Sequence, residues 1–302
     1  VNVKKEFGDN PYELKNILKN WVRNKNQDLK VIPTDSIVIK VDKEAVRRSG
    51  MMIPGDSIPD YMHISLKGKR ALYKSELMML EMLSEANWER PIYIAVSVGR
   101  ENQLNMENHF VQEGLTYRFT PFDTEKTGVK LDSEKMYDNL MNKFKFGGID
   151  KEGIYIDENA MRMCYSHRRI FSQLIGQLIR EGKTDKAKAA LEYAEKMIPA
   201  YNVPYDWQNG AMQMAEAYYQ LGEKEKGDNI MKALADKAVE YLTWYLSLDD
   251  QRFAMSSHEV VDYQLPILST EVKLMQKYNS ELAPVYDSKL NELYQMCVDR
   301  MK

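Results

Sequence analysis

The chain has 302 residues, 44% of them hydrophobic and 29% charged, with a formal net charge of −3. That length favours two domains, the composition is that of a globular protein, and the absence of a basic block argues against nucleic acid as a partner. No apolar run approaches the roughly 20 residues that span a bilayer. The start, Val1 to Gly8, has neither an initiator Met nor a signal-peptide core, which points to a fragment or a processed chain.

From the N-terminus, Pro11 to Arg23 reads as an amphipathic helix with Leu14, Ile17, Leu18 and Trp21 on one face. Leu29 to Ile32 and Ile37 to Val41 read as strands separated by a Thr34-Asp35-Ser36 turn. Met51 to Asp60 is a loop and His63 to Leu66 a short strand. Ser75 to Ala86 is a helix whose apolar stripe is broad enough for burial on more than one side. Pro91 to Val98, nearly all apolar, fits a central strand covered on both faces, and Leu115 to Thr120 is a further strand. Met136 to Phe146 is a short helix, and Gly147-Gly148 a candidate hinge.

From Asp157 onward the periodicity is helical. Phe171, Leu174, Ile175, Leu178 and Ile179 are spaced as one helix face. Gly182 breaks that helix, Thr184 is placed to cap the next, small Ala187 and Ala194 allow close approach, and Pro199 ends it. A second copy follows: Ala211, Met214, Ala215 and Tyr218, then Gly222, then Gly227, Met231 and Leu234. This is tetratricopeptide-type spacing, but Gly182 and Gly222 lie 40 residues apart against the usual period of about 34, so the connecting loop is long. Two further helices, about Glu259 to Tyr278 and Leu282 to Met301, continue the stack, with a kink expected at Pro266. The expected architecture is a small α/β domain with a mixed sheet over 1–130, followed over 131–302 by an all-α tetratricopeptide-like array, with a hinge near 146–150.

Catalytic chemistry is not legible. His63, His109, His167 and His258 form no zinc-ligand spacing, and there is no nucleophile elbow or phosphate loop. Ser257-His258-Glu259 reads as helix-cap chemistry at Ser256 or Ser257 rather than a triad, because adjacent side chains diverge on a helix. No catalytic residue, metal or cofactor is assigned. Cys164 and Cys297 read as buried small hydrophobes, with a disulfide left open. Binding candidates are Trp88, Arg90, Arg100, Tyr117 and Arg118, since aromatic faces and guanidinium forks grip sugars and phosphates. The alternative is that Trp88 plugs a helix–strand corner and the arginines form ion pairs. Tyr218 is a candidate for the helical groove, packing being its alternative.

Four collinear stretches, Trp88 to Ala95, Glu113 to Arg118, Met136 to Gly148 and Asp157 to Met163, resemble the C-terminal region of large bacterial membrane proteins of domain-of-unknown-function family 2723. That family is grouped with glycosyltransferase family 117, whose vertebrate relative is a protein O-mannosyltransferase. The resemblance runs from about Asp28 to about Leu248. It implies a multi-pass enzyme using a lipid-phosphate-linked sugar, with its catalytic residues in a membrane part outside this chain. The chain itself would be a non-catalytic accessory domain on the periplasmic face of the inner membrane, its partners an acceptor polypeptide and that membrane part. Asp35-Ser36-Ile37 and Asp56-Ser57-Ile58 resemble a bacterial O-glycosylation sequon, which makes Ser36 and Ser57 possible acceptors; ordinary turn chemistry is the alternative. Two other readings stay open: a free-standing repeat scaffold for protein interactions, and an α/β module that binds sugar or nucleotide.

Overall fold

A computed structural model describes residues 6–53 and 57–301. The chain divides into two compact units, Val1–Met136 and Tyr137–Lys302.

The first unit is α/β. A helical turn α1 (Leu14–Ile17) widens into a π turn over Leu18–Val22, burying Leu14, Ile17, Leu18 and Trp21 as the stripe requires. Strand β1 (Ser36–Lys40) pairs antiparallel with β2 (Tyr61–Ser65), and helix α2 (Lys43–Arg48), capped by Asp42, lies between them in the chain. Helix α3 (Lys74–Ala86) leads to β3 (Tyr93–Ala95), β4 (Phe110–Gln112) and β5 (Thr116–Phe119), a second antiparallel sheet in the order β3-β5-β4. Among the described residues the strands thus form two small antiparallel sheets in place of one mixed sheet, with parallel pairing at single bridges, Glu13–Val38 and Gln112–Leu131. Ile37, Ile39, Met51, Ile53, Met62, Ile64, Leu80 and Trp88 belong to one core.

Several local expectations need correcting. Leu29 to Ile32 is not a strand: Asn26 accepts from the Asp28 N–H and turns Gln27–Leu29 into a 3-10 helix. Pro91 to Val98 is not a doubly covered central strand. Only Tyr93–Ala95 pairs, at a sheet edge, with Tyr93 and Ala95 facing outward. The central strand is β5, which exchanges hydrogen bonds on both sides. Ser36 opens β1 opposite Ser65 rather than sitting in a turn, because the Thr34 hydroxyl accepts from the Ser36 N–H and closes the bend earlier. Ser57 is exposed in the loop; its neighbours Pro54, Gly55 and Asp56 lie outside the described residues.

Beyond α4 (Thr124–Thr127), helix α5 (Ser133–Asp138) continues as a π turn over Asn139–Lys143. The second unit is helical. Asp157 caps α6 (Glu158–Arg180) by accepting from the Asn159 and Ala160 N–H groups. Helix α7 (Thr184–Met197) returns against α6, and α8 (Ala211–Gln220) with α9 (Lys224–Ser247) forms the second hairpin. Helix α10 (Asp250–His258) runs through a π turn at Glu259–Gln264 into α11 (Leu265–Lys277), and α12 (Ala283–Arg300) completes a third hairpin. Where a kink is expected at Pro266, the π turn ends at Gln264, two residues before a proline that cannot donate to the preceding turn. Ser256 and Ser257 bond back to the Arg252 and Ala254 carbonyls inside α10; Asp249 is its cap.

The hairpin turns share one geometry. The Gly182 N–H reaches the Ile179 carbonyl and the Lys183 N–H that of Leu178; Gly222 and Glu223 repeat this with Tyr219 and Tyr218. Both glycines adopt positive φ, the residue after a helix end where a Cβ is unfavourable. Asn279 (φ 53°) and Ser280 make the same pair of bonds at the third turn. Thr184 caps nothing, because this turn carries the chain straight into α7 with Thr184 already its first residue. Gly147 and Gly148, also at positive φ, lie within the second unit, where Asn202 donates to the Ile149 and Lys151 carbonyls and Tyr201 to that of Asp150.

The two hairpins differ in one compensating pair. Five residues past each turn glycine stand Ala187 and Gly227; three before it stand Ile179 and Tyr219. A Cβ on Gly227 would stand 2.6 Å from the Tyr219 ring, which is held by stacking on Tyr278 at 5.0 Å and by donation to Asp228 at 2.7 Å. Gly227→Ala should therefore lower the unfolding free energy by about 1–3 kcal/mol, despite the roughly 1 kcal/mol that helix propensity favours Ala. Urea denaturation measures the sign.

Candidate functional site

Two candidates from the sequence are internal. Arg118 on β5 is 1% exposed; its guanidinium bonds Glu113 Oε1 at 2.5 Å and the Gly50 carbonyl at 2.5 Å, and stands 3.6 Å from Asp132. Lys135 completes that network, 3.2 Å from Glu113. Trp88 is buried, stacks on Phe119 at 5.6 Å, and donates its indole N–H to the Lys40 carbonyl. Tyr117 is half-buried and stacks on Phe110. Arg90 and Arg100 are exposed, without an ion pair among the described residues. These side chains do not converge on one cleft.

Tyr218 is buried on α8 and leads to the organising network of the second unit. Its hydroxyl donates to Glu195 Oε2 at 2.6 Å, and Tyr205 donates to Oε1 of the same carboxylate at 3.1 Å. Burial and that carboxylate hold both phenols above their ordinary range. Beside Tyr205, at 5.0 Å from its ring, lies the guanidinium of Arg168, 1% exposed on α6. Arg168 donates to the carbonyls of Ile198, Val203 and Pro204 at 2.7, 2.6 and 3.0 Å. The long connection between the first two hairpins is folded around this one side chain. Burial pulls Arg168 down to about 10, which still leaves it charged at neutral pH. Cys164, one turn earlier, is a buried free thiol, as is Cys297.

The connection delivers Asp206 to a surface on α9. Asp206 ends the loop by accepting from the Gln208 N–H and pairs through Oδ2 with Lys237 at 2.6 Å. On α9, Lys237, Tyr241, Trp244 and Tyr245 fall at i, i+4, i+7 and i+8, one face of the helix. The Lys237 ammonium lies 5.9 Å from the Tyr241 ring, and the Trp244 and Tyr245 rings are 4.7 Å apart. Tyr165 of α6 joins this group: burial raises its hydroxyl, and Lys237, Asp206 and Tyr241 act on it. Trp207 and Tyr241 are each 44% exposed and Trp244 55%. An ordered row of exposed aromatic faces, with one ion pair at its end, provides rigid contact area at little entropic cost.

Near this face α11 carries a carboxylate that no sequence signal marks. Glu271 is 1% exposed, its Oε2 has no hydrogen-bond partner, and burial reinforced by Asp206 pushes it up to about 8. Arg168 and Glu271 both escaped sequence reading, since each lies within an amphipathic helix as one of many charged residues. Among the described residues no group of His, Cys, Asp or Glu could hold a metal, and no helix is long and apolar enough to cross a membrane.

Residues 1–139 match the family model described as TMEM260-associated domain 2. The match spans the first compact unit and runs three residues into the second. It relates this part of the chain to TMEM260 and does not extend to the 2723 family resembled above. No curated protein and no solved structure matches the chain.

Between pH 4.5 and about 8 the folded chain holds a proton on Glu271 that the unfolded chain, with an ordinary value of 4.5, has released. Stability is therefore greatest below pH 4.5 in this contribution and falls as pH rises toward 8. Glu271→Gln should remove that slope and leave the variant more stable by a few kcal/mol at pH 8, with little difference at pH 4. Thermal unfolding across the range measures it. Arg168→Met, which abandons the buried Ile198 and Val203 carbonyls, should cost about 3–5 kcal/mol, and Arg168→Lys should recover only part of it in the same assay.

Proposed function

We propose that this chain is a non-catalytic, extracytoplasmic accessory part of a membrane O-glycosyltransferase, and that its helical unit docks the acceptor polypeptide. The family match over residues 1–139 supports the glycosyltransferase relation. The observation that carries the docking role is the exposed aromatic row on α9. From Lys237 to Tyr245 the row is about 12 Å long at 1.5 Å per residue, the reach of an extended segment of roughly four residues. Tyr and Trp faces accept varied side chains and peptide planes, and a tethered array raises the local concentration of a weakly bound chain. Bond-making belongs, in this reading, to the membrane part of the enzyme.

The test uses a labelled, permanently unfolded polypeptide such as reduced and carboxymethylated albumin. Binding should saturate, and Tyr241→Ala with Trp244→Ala should weaken it at least about tenfold while leaving the melting temperature in place. Binding indifferent to that double variant, or sugar transfer by the 302-residue chain alone, would refute the proposal.

A further inference from the structure

The first unit carries a groove that the polypeptide-docking reading does not use. It has a volume of about 770 Å³ and lies between the 30–35 segment and the loop joining β2 to α3. Val22, Ile32, Leu66, Leu72 and Leu77 form its apolar lining. Lys30, Lys69 and Arg70 stand on the rim, against one acid, Asp35.

The loop enlarges this imbalance. Over Lys67 to Lys74 it carries four cations and no carboxylate. Lys67, Arg70 and Lys74 are exposed. Glu76, the next acid, is buried and already engaged: it pairs with Lys69 at 2.5 Å and accepts from the Tyr73 N–H at 2.8 Å. Two apolar side chains project beside the cations, Tyr73 at 77% exposure and Val31 at 53%. This charge stands out in a chain whose net charge is −3.

We infer that this face seats on an anionic phospholipid surface, with headgroup phosphates meeting Lys67, Arg70 and Lys74 while Tyr73, Val31 and the groove lining meet the glycerol and upper acyl region. The charge complementarity selects an anion. The apolar lining and the projecting Tyr73 and Val31 select an amphiphile over a polyanion, which would leave that surface in water. Each basic side chain near such a surface adds to binding, and salt screens the sum. This inference rests on the first unit alone and stands or falls independently of the aromatic row.

Co-sedimentation of the whole chain with vesicles tests it. Vesicles of equal parts phosphatidylglycerol and phosphatidylcholine should retain the chain at low salt, and pure phosphatidylcholine should not. The triple variant Lys67→Gln, Arg70→Gln, Lys74→Gln should bind more than about tenfold more weakly. Lys126→Gln, Lys143→Gln, Lys232→Gln, which changes the net charge equally at exposed positions elsewhere, should bind as the native chain does. Val31→Asp with Tyr73→Asp should weaken binding with the full basic loop in place, and circular dichroism melts should show each variant folded. Failure to bind anionic vesicles overturns the inference, as does equal loss in the two triple variants. So does displacement by inorganic phosphate or polyglutamate at the concentrations that vesicles require, since the occupant is then a free anion or an acidic chain.

Discussion

The second unit depends on one buried cation. Arg168 gathers three carbonyls from the chain that leaves α7, and without it that stretch would leave buried acceptors with no donor. Its planar fork is suited to this, because several donors point in fixed directions from a single site. Desolvation works against the arrangement, which explains the lowered pKa, yet the charge persists at physiological pH. The consequence reaches the surface. Two of the carbonyls it binds, those of Val203 and Pro204, immediately precede Tyr205, Asp206 and Trp207, so the guanidinium inside sets where the loop's aromatic and acidic groups emerge.

Helices and their turns were the most readable part of the sequence, because amphipathic spacing and turn glycines are local signals. Gly182 and Gly222 marked two hairpins; the third turn has the same bonding with Asn279 in place of glycine, and asparagine tolerates the left-handed region without advertising it. Strands were less legible. The apolar run after Pro91 looks central by composition, but composition cannot tell which strand has neighbours on both sides, and β5 holds that place. The short strand β4 and the cap of α2 at Asp42 depend on tertiary pairing and a single hydrogen bond.

The site followed the same division. Trp88 and Arg118 are the residue types that bind ligands, yet their polar atoms are spent on Lys40, Gly50 and Glu113, partners that lie far along the chain or arrive only when β5 is paired. The aromatic row on α9 was present in the sequence as helical spacing, but which of its side chains face solvent was decided by the packing of α8, α11 and α12 against α9. Arg168 acts on main-chain carbonyls, which every residue possesses, so no residue pattern could have named its partners. The basic loop at 67–74 was equally visible as letters. It became a surface only when β2 and α3 brought it over an apolar groove.

The exchange of Ala187 and Ile179 for Gly227 and Tyr219 has an evolutionary corollary. Duplicated hairpins begin as copies, and copies can be deleted, multiplied or recombined only while their contact surfaces remain alike. Once a bulky ring on one helix is accommodated by a missing methyl on its neighbour, α8 and α9 must be inherited together. The same ring also stacks on Tyr278 at the third turn, so the second hairpin is fitted to the third as well as to itself.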